Sequence, residues 1–184
     1  MALSSMRPSP DLVTILTTII GVTAGILLGR GAGVAGGILA QLVSILDGVD
    51  GELARLQLRA GPRGAFLDSV LDRVVDVAVI AGLAVWAGHG SSSQSLVTLL
   101  AVAATAGSIL SMATKDRMVV LGLSGSPERA ISYMMAGRDG RMLLIAVLAI
   151  LGLPVAALAA IAATSTVALI VRVFAVMRRR PRPL

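Results

Sequence analysis

The chain has 184 residues, 56% of them apolar and 14% charged, with no cysteine and a mean hydropathy of +0.90. That balance excludes an ordinary soluble domain and points to an all-α, polytopic integral membrane protein without disulfides or thiolate metal sites. Its 16 Lys and Arg against 10 Asp and Glu leave a net charge of +6, and only 2% of residues are aromatic. No interleaved rings are available to stack bases, so the charge reports membrane orientation and anionic headgroups, and nucleic acid is set aside.

A span needs roughly 20 mostly apolar residues, and six are predicted in chain order. The first, Leu12 to Leu28, follows "MRPSPD" without a small-residue cleavage pattern, so it is read as a span and not as a cleavable signal. The second runs from Val34 to Leu53 behind "GAGVAGG", whose small residues suit close helix packing in lipid. A turn at "LRAGPRG" leads to the third, Phe66 to Trp86, and "GHGSSSQS" (Gly88 to Ser95) is a loop by composition. The fourth, Leu96 to Ala113, is followed by a second expected loop, "LGLSGSPE" (Leu121 to Glu128). The fifth, Met142 to Leu153, is short and meets the sixth, Val155 to Val176, at a tight "LGLP" turn. No repeat and no dividing linker is present, so residues 1–184 are read as one transmembrane domain.

If six spans alternate, both termini and the loops after spans two and four share one side, and every basic residue except Arg30 falls on or near it. The positive-inside rule makes that side cytoplasmic and places the protein in the cell membrane. The tail "RRRPRPL" is a topology signal and headgroup contact.

Against this apolar background, Ile45 to Asp76 holds five aspartates and a glutamate. Asp47 and Asp50 are three apart and Asp68 and Asp72 four apart, so on helices each pair shares a face. The "LRAGPRG" turn would fold one helix beside the other, and four carboxylates could converge on a polar cavity open to the cytoplasm. Buried acids near lipid are costly unless paired or bound to cations. Oxygen donors without His or Cys select Mg²⁺, Mn²⁺ or Ca²⁺. Two ions sharing such ligands would clamp a transferring phosphate. Gly48, Gly51, Ala54 and Gly64 would let a ligand approach the backbone, and Arg55 could hold phosphate oxygens in a bidentate fork.

The pattern Asp47-x2-Asp50-Gly51-x2-Ala54-Arg55-x8-Gly64-x3-Asp68-x3-Asp72 resembles the signature of the CDP-alcohol phosphotransferases. The resemblance implies an enzyme that moves a phospho-alcohol or phosphatidyl group from a CDP-linked alcohol to a hydroxyl acceptor and releases CMP, using Mg²⁺ or Mn²⁺, two ions in all. It implies that Asp47, Asp50, Asp68 and Asp72 ligate metal, and that Asp72 is also the base for the acceptor hydroxyl. Gly51, Ala54 and Gly64 would carry the cytidine and Arg55 the diphosphate. Pro10 and Thr14, in "PDLVT", resemble the short element that opens the first span of family members beside the nucleotide. The resemblance also implies a homodimer.

A second polar cluster, Thr114 to Ile145, brings Lys115, Arg117, Arg129, Arg138 and Arg141 to the ends of spans four and five. Such a basic pocket favours an anionic, phosphorylated acceptor. Lys115-x-Arg117 with Arg138-x-x-Arg141 is similar to members that use inositol phosphate, the phosphatidylinositol phosphate synthases and di-myo-inositol phosphate phosphate synthases. Glycerol phosphate, serine and free inositol stay open as acceptors, and the same basic residues also satisfy the positive-inside rule.

Other polar residues take plainer readings. Asp76 is expected to pair with Arg73 or another basic residue, Asp139 to orient Arg138 and Arg141 through ion pairs, Glu52 to sit at headgroup level, and His89 to be a solvated loop residue. Trp86 and Tyr133 fit interfacial anchors, and Met134, Met135 and Met142 fit apolar filler. The rival from another class is a divalent-cation transporter, which would spread acids through the membrane depth along a path.

Overall fold

The computed structural model describes residues 10–56, 62–120, 122, 126–134 and 136–178. Seven helices account for them: α1 (Pro10–Gly29), α2 (Gly33–Leu56), α3 (Pro62–Gly90), α4 (Gln94–Val120), α5 (Ser126–Tyr133), α6 (Arg138–Ile150) and α7 (Pro154–Met177). The described residues contain no strand. In an apolar medium a helix satisfies its backbone groups within itself, which is what so hydrophobic a sequence requires.

Six of the helices carry the six predicted apolar segments. Three windows, Leu12–Gly29, Gln94–Val120 and Pro154–Met177, are long and apolar enough to cross a membrane. Helices α2 and α3 dilute their apolar runs with the acidic stretch, and α6 has only 13 residues. The loop expected at Gly88 to Ser95 is shorter than its composition suggested. Helix α3 continues through Gly90, and α4 begins at Gln94, whose Nε2 donates to the Gly88 carbonyl at 2.7 Å. The last three residues of the second expected loop are helical, since α5 begins at Ser126. Pro127 then falls in the first turn, where its missing N–H has no intrahelical partner to lose.

Helix α1 packs on α2 and α3, α2 on α6, α6 on α7, and α7 on α4 and α3, while α3 and α4 also touch. These six helices thus close a ring in the order α1, α2, α6, α7, α4, α3, and α5 lies against α7. Leu28, Val79, Leu83, Leu158 and Ile161 fill its interior with almost no exposed surface, whereas Ile19, Leu99, Val102 and Leu151 point outward. An apolar outer face is what lipid accepts and water does not.

Small residues set how close the helices come. A Cβ built on Gly82 of α3 would run into the Gly25 carbonyl of α1, and one on Gly33 of α2 would meet the Ala149 carbonyl of α6. Trp86 is half-buried and lies against Gly31 and Gly33, so it braces the α1–α2 turn as well as marking that end of the bundle. The "LGLP" turn forms as expected, with Gly152 at φ 73° and Pro154 opening α7.

Candidate active site

The C-terminal half of α2, the N-terminal half of α3, the end of α4 and the start of α6 meet around a cavity of about 570 Å³. Asp47, Gly48, Asp68, Asp72, Lys115 and Arg138 are among its lining residues. Helical spacing does the positioning: Asp68 and Asp72 lie one turn apart on α3, and Asp47 faces them from α2.

One carboxylate oxygen from each of Asp47, Asp68 and Asp72 lies within 4.8 Å of the others. All three side chains are partly buried. The set is pure carboxylate oxygen, a match for a hard divalent cation and not for zinc. Gly48 adds open space beside it, since a Cβ there would meet no heavy atom within 4 Å. By donor chemistry and by room, these residues fit a resident divalent metal.

Arginine reaches the same carboxylates. Arg138 Nη1 donates to Asp47 Oδ2, and its Nη2 lies 2.8 Å from Asp72 Oδ1. Arg73 stands 3.8 Å from Asp72 and 3.9 Å from the exposed Asp116. Asp72, Asp76 and Asp47 surround the Arg138 guanidinium with negative charge, which offsets the cost of burying it.

Behind this layer lies a buried polar network that the motif does not announce. Asp76 Oδ2 accepts from Ser108 at 2.9 Å and sits 4.0 Å from Arg141, while its Oδ1 lies 3.7 Å from Arg138 Nε. Arg141 donates to Ser165 at 3.0 Å, and Arg172 donates to the carbonyl and hydroxyl of Ser111 at 2.5 and 2.8 Å. Ser108 with Ser111, and Ser165 with Arg172, recur at helical spacing on the facing sides of α4 and α7. A lone arginine inside the apolar run "ALIVRVF" was the signal available for this seam.

The other expected site residues fall as follows. Lys115 lines the cavity and is exposed. Arg141 is buried behind the cavity, and Arg117 is exposed on α4 outside the lining set. Asp76 is partnered by Arg138 and Arg141 in place of Arg73, which turns toward Asp72 and Asp116. Asp139 accepts a hydrogen bond from Ser44 at 3.2 Å, which ties α6 to α2. Gly64 lies in the first turn of α3 and Thr14 in the second turn of α1, neither lining the cavity. Pro10 opens α1, and α2 carries Asp50, Gly51, Ala54 and Arg55, but the side chains at these positions lie outside the described residues. His89 is exposed at the far end of α3.

Residues 8–171 match the family model for CDP-alcohol phosphatidyltransferase. A bifunctional IPC transferase and DIPP synthase of Rubrobacter xylanophilus is 38% identical over 94% of this chain, and the chain spans only 38% of that relative's length. A phosphatidylinositol phosphate synthase of Streptomyces avermitilis is 40% identical over 72% of this chain and 57% of its own length. Among solved structures, the phosphatidylinositol phosphate synthase of Mycobacterium tuberculosis in complex with manganese and citrate superposes with a TM-score of 0.74 at 25% identity, covering 93% of this chain and 83% of that one.

Proposed function

The chain belongs to the CDP-alcohol phosphatidyltransferase family, and on that premise we propose that it transfers a phospho-alcohol group from a CDP-alcohol to an inositol phosphate and releases CMP. The observation that carries this reading is the three-carboxylate cluster beside a cavity that also holds Lys115 and Arg138. Acids for the metal and cations for an acceptor phosphate then share one chamber. The names of the Rubrobacter and Streptomyces relatives support the choice of an inositol phosphate.

In the proposed reaction the acceptor hydroxyl oxygen attacks the phosphorus that bears the donor alcohol. The bond from that phosphorus to the bridging oxygen breaks, CMP leaves with that oxygen, and Asp72 takes the hydroxyl proton. Asp47, Asp50, Asp68 and Asp72 would hold two divalent ions, Mg²⁺ or Mn²⁺, which supply charge neutralisation on the diphosphate. Positioning and electrostatics dominate such a transfer, so a carboxylate of modest basicity suffices at Asp72. Gly51, Ala54 and Gly64, with Pro10 and Thr14, would bound the cytidine, and Arg55 would hold the diphosphate. Lys115 and Arg138 would meet the acceptor phosphate directly. Arg141, behind the cavity, would act through Asp76, and Arg117 would draw anions from the rim.

All six ring helices would cross the cell membrane, with the cavity and both termini on the cytoplasmic side, and the working unit would be a homodimer. The test is CMP release by protein in detergent with Mg²⁺, crossing CDP-diacylglycerol and CDP-inositol against inositol phosphate, free inositol, serine and glycerol phosphate. Release only with inositol phosphate supports the reading, and release only with another acceptor refutes that part of it. Protein that binds no CDP at all would overturn the enzyme reading and restore the cation transporter.

A further inference from the structure

Arg138 is the first residue of α6, and its guanidinium reaches between two helices to two of the three clustered carboxylates. Nη1 meets Asp47 Oδ2 and Nη2 meets Asp72 Oδ1. A guanidinium is a pure donor and cannot ligate a cation. A divalent ion drawing these carboxylates to about 2.0–2.6 Å would stand close to a guanidinium that already holds one oxygen of each of two of them. The two cations repel each other, and each weakens the acids' attraction for the other.

The seat of Arg138 is also incompletely matched. Its Nε is buried without a hydrogen bond among the described residues, and Asp76 Oδ1, 3.7 Å away, is itself unbonded. One edge of the guanidinium therefore gains only Coulombic attraction where a full bond was available. On the other side the cavity offers Lys115 and open volume. Gly137, immediately before Arg138, has extended backbone, so the arginine enters from the helix mouth and not from a crowded mid-helix position.

Building on the metal-dependent reading of the site, we infer that Arg138 and the divalent cation compete for Asp47 and Asp72, so that metal binding drives the guanidinium into the cavity toward the acceptor phosphate. Arg138 is then an acceptor-binding residue with two seats. With the first it neutralises the carboxylates, and with the second it completes an anion pocket with Lys115. Acceptor affinity becomes conditional on metal, which orders the loading of the site.

The test is Mn²⁺ binding to the full chain in detergent without substrate, followed by electron paramagnetic resonance. Arg138→Gln should bind Mn²⁺ about 10- to 100-fold more tightly than the parent protein, the span expected for giving up one or two charge-assisted hydrogen bonds. Arg138→Lys, able to hold one carboxylate, should fall between. Lys115→Gln removes an equal charge from the same cavity without vacating the cluster, and should shift affinity by about fivefold or less. Equal or weaker binding by Arg138→Gln overturns the inference while leaving the metal reading intact, and no binding by either protein overturns both. A second measurement needs no variant. Modification of Arg138 by phenylglyoxal, read by peptide mass spectrometry, should rise with saturating Mn²⁺, and an unchanged or lower rate refutes the displacement.

Discussion

Asp72→Asn isolates the chemistry from the architecture. Asp72 Oδ1 lies 2.8 Å from Arg138 Nη2, and its side chain is 16% exposed. Asparagine keeps the volume and one acceptor oxygen, so the bridge to Arg138 survives as a bond to a neutral acceptor. What is lost is the proton sink and one of three negative charges gathered within 4.8 Å. Loss of a positioned base costs about 10²- to 10⁴-fold in rate, or roughly 3 to 5 kcal/mol of barrier. Fewer like charges in the cluster should leave thermal stability unchanged or slightly higher. The assay is CMP release alongside CDP binding and detergent thermal unfolding. The expected pattern is turnover below about one hundredth of the parent, with partial metal and CDP binding and no fall in Tm. Turnover within tenfold would remove Asp72 from the mechanism, and a collapsed Tm would make the residue structural.

Two further substitutions separate stability from function elsewhere. Gly48→Ala adds a Cβ that meets nothing within 4 Å in a helix interior, so the helix should gain up to about 1 kcal/mol; because Gly48 lines the cavity, CDP affinity should nevertheless fall, and isothermal titration showing unchanged affinity would exclude a nucleotide approach there. Arg172→Met removes two hydrogen bonds to Ser111 from a side chain 3% exposed. The Ser111 acceptors are neutral, and the relieved desolvation of the guanidinium offsets part of the loss. A net cost of about 1 to 2 kcal/mol should appear as a Tm lower by several degrees, and an unshifted Tm would show that the α4–α7 seam is held by packing alone.

The helical segments and the aspartate cluster were legible because each rests on local rules. Apolar length marks a span, and acids three or four apart share a helix face, so Asp47, Asp68 and Asp72 could be brought together before any coordinates were seen. Partner choice was not legible, because it depends on which helix ends meet. Asp76 was expected to pair with Arg73 or another basic residue, and it does pair with basic residues, but which ones depended on the fold: its side chain points into the ring toward Ser108, Arg138 and Arg141, two of them on α6. Arg141 looked like a cavity residue from its spacing to Arg138. On α6 the three-residue step leaves it deeper, against Ser165. The α5 helix was missed because Gly, Ser and Pro dominate "LGLSGSPE", and composition alone does not distinguish a loop from a helix opening with proline.

The interior beyond the acid cluster bears on the transporter alternative. A conduction path for a divalent cation needs acids or carbonyls continuing through the bundle. Past Asp47, Asp68 and Asp72 the next acid is Asp76, and it is engaged by Ser108 with Arg138 and Arg141 within 4.0 Å. At the level of Asp76 the α4–α7 seam offers Ser108 and Ser165, and nearer the cavity end it carries Ser111 and the buried cation Arg172. The buried guanidinium of Arg141 beside Asp76 repels a cation, and the core beyond is apolar, with Leu83, Leu158 and Ile161 buried in it. Among the described residues the acids therefore end at Asp76, beside the buried positive charge of Arg141. That arrangement suits the proposed holding of a cation against an anionic substrate better than its passage across the membrane.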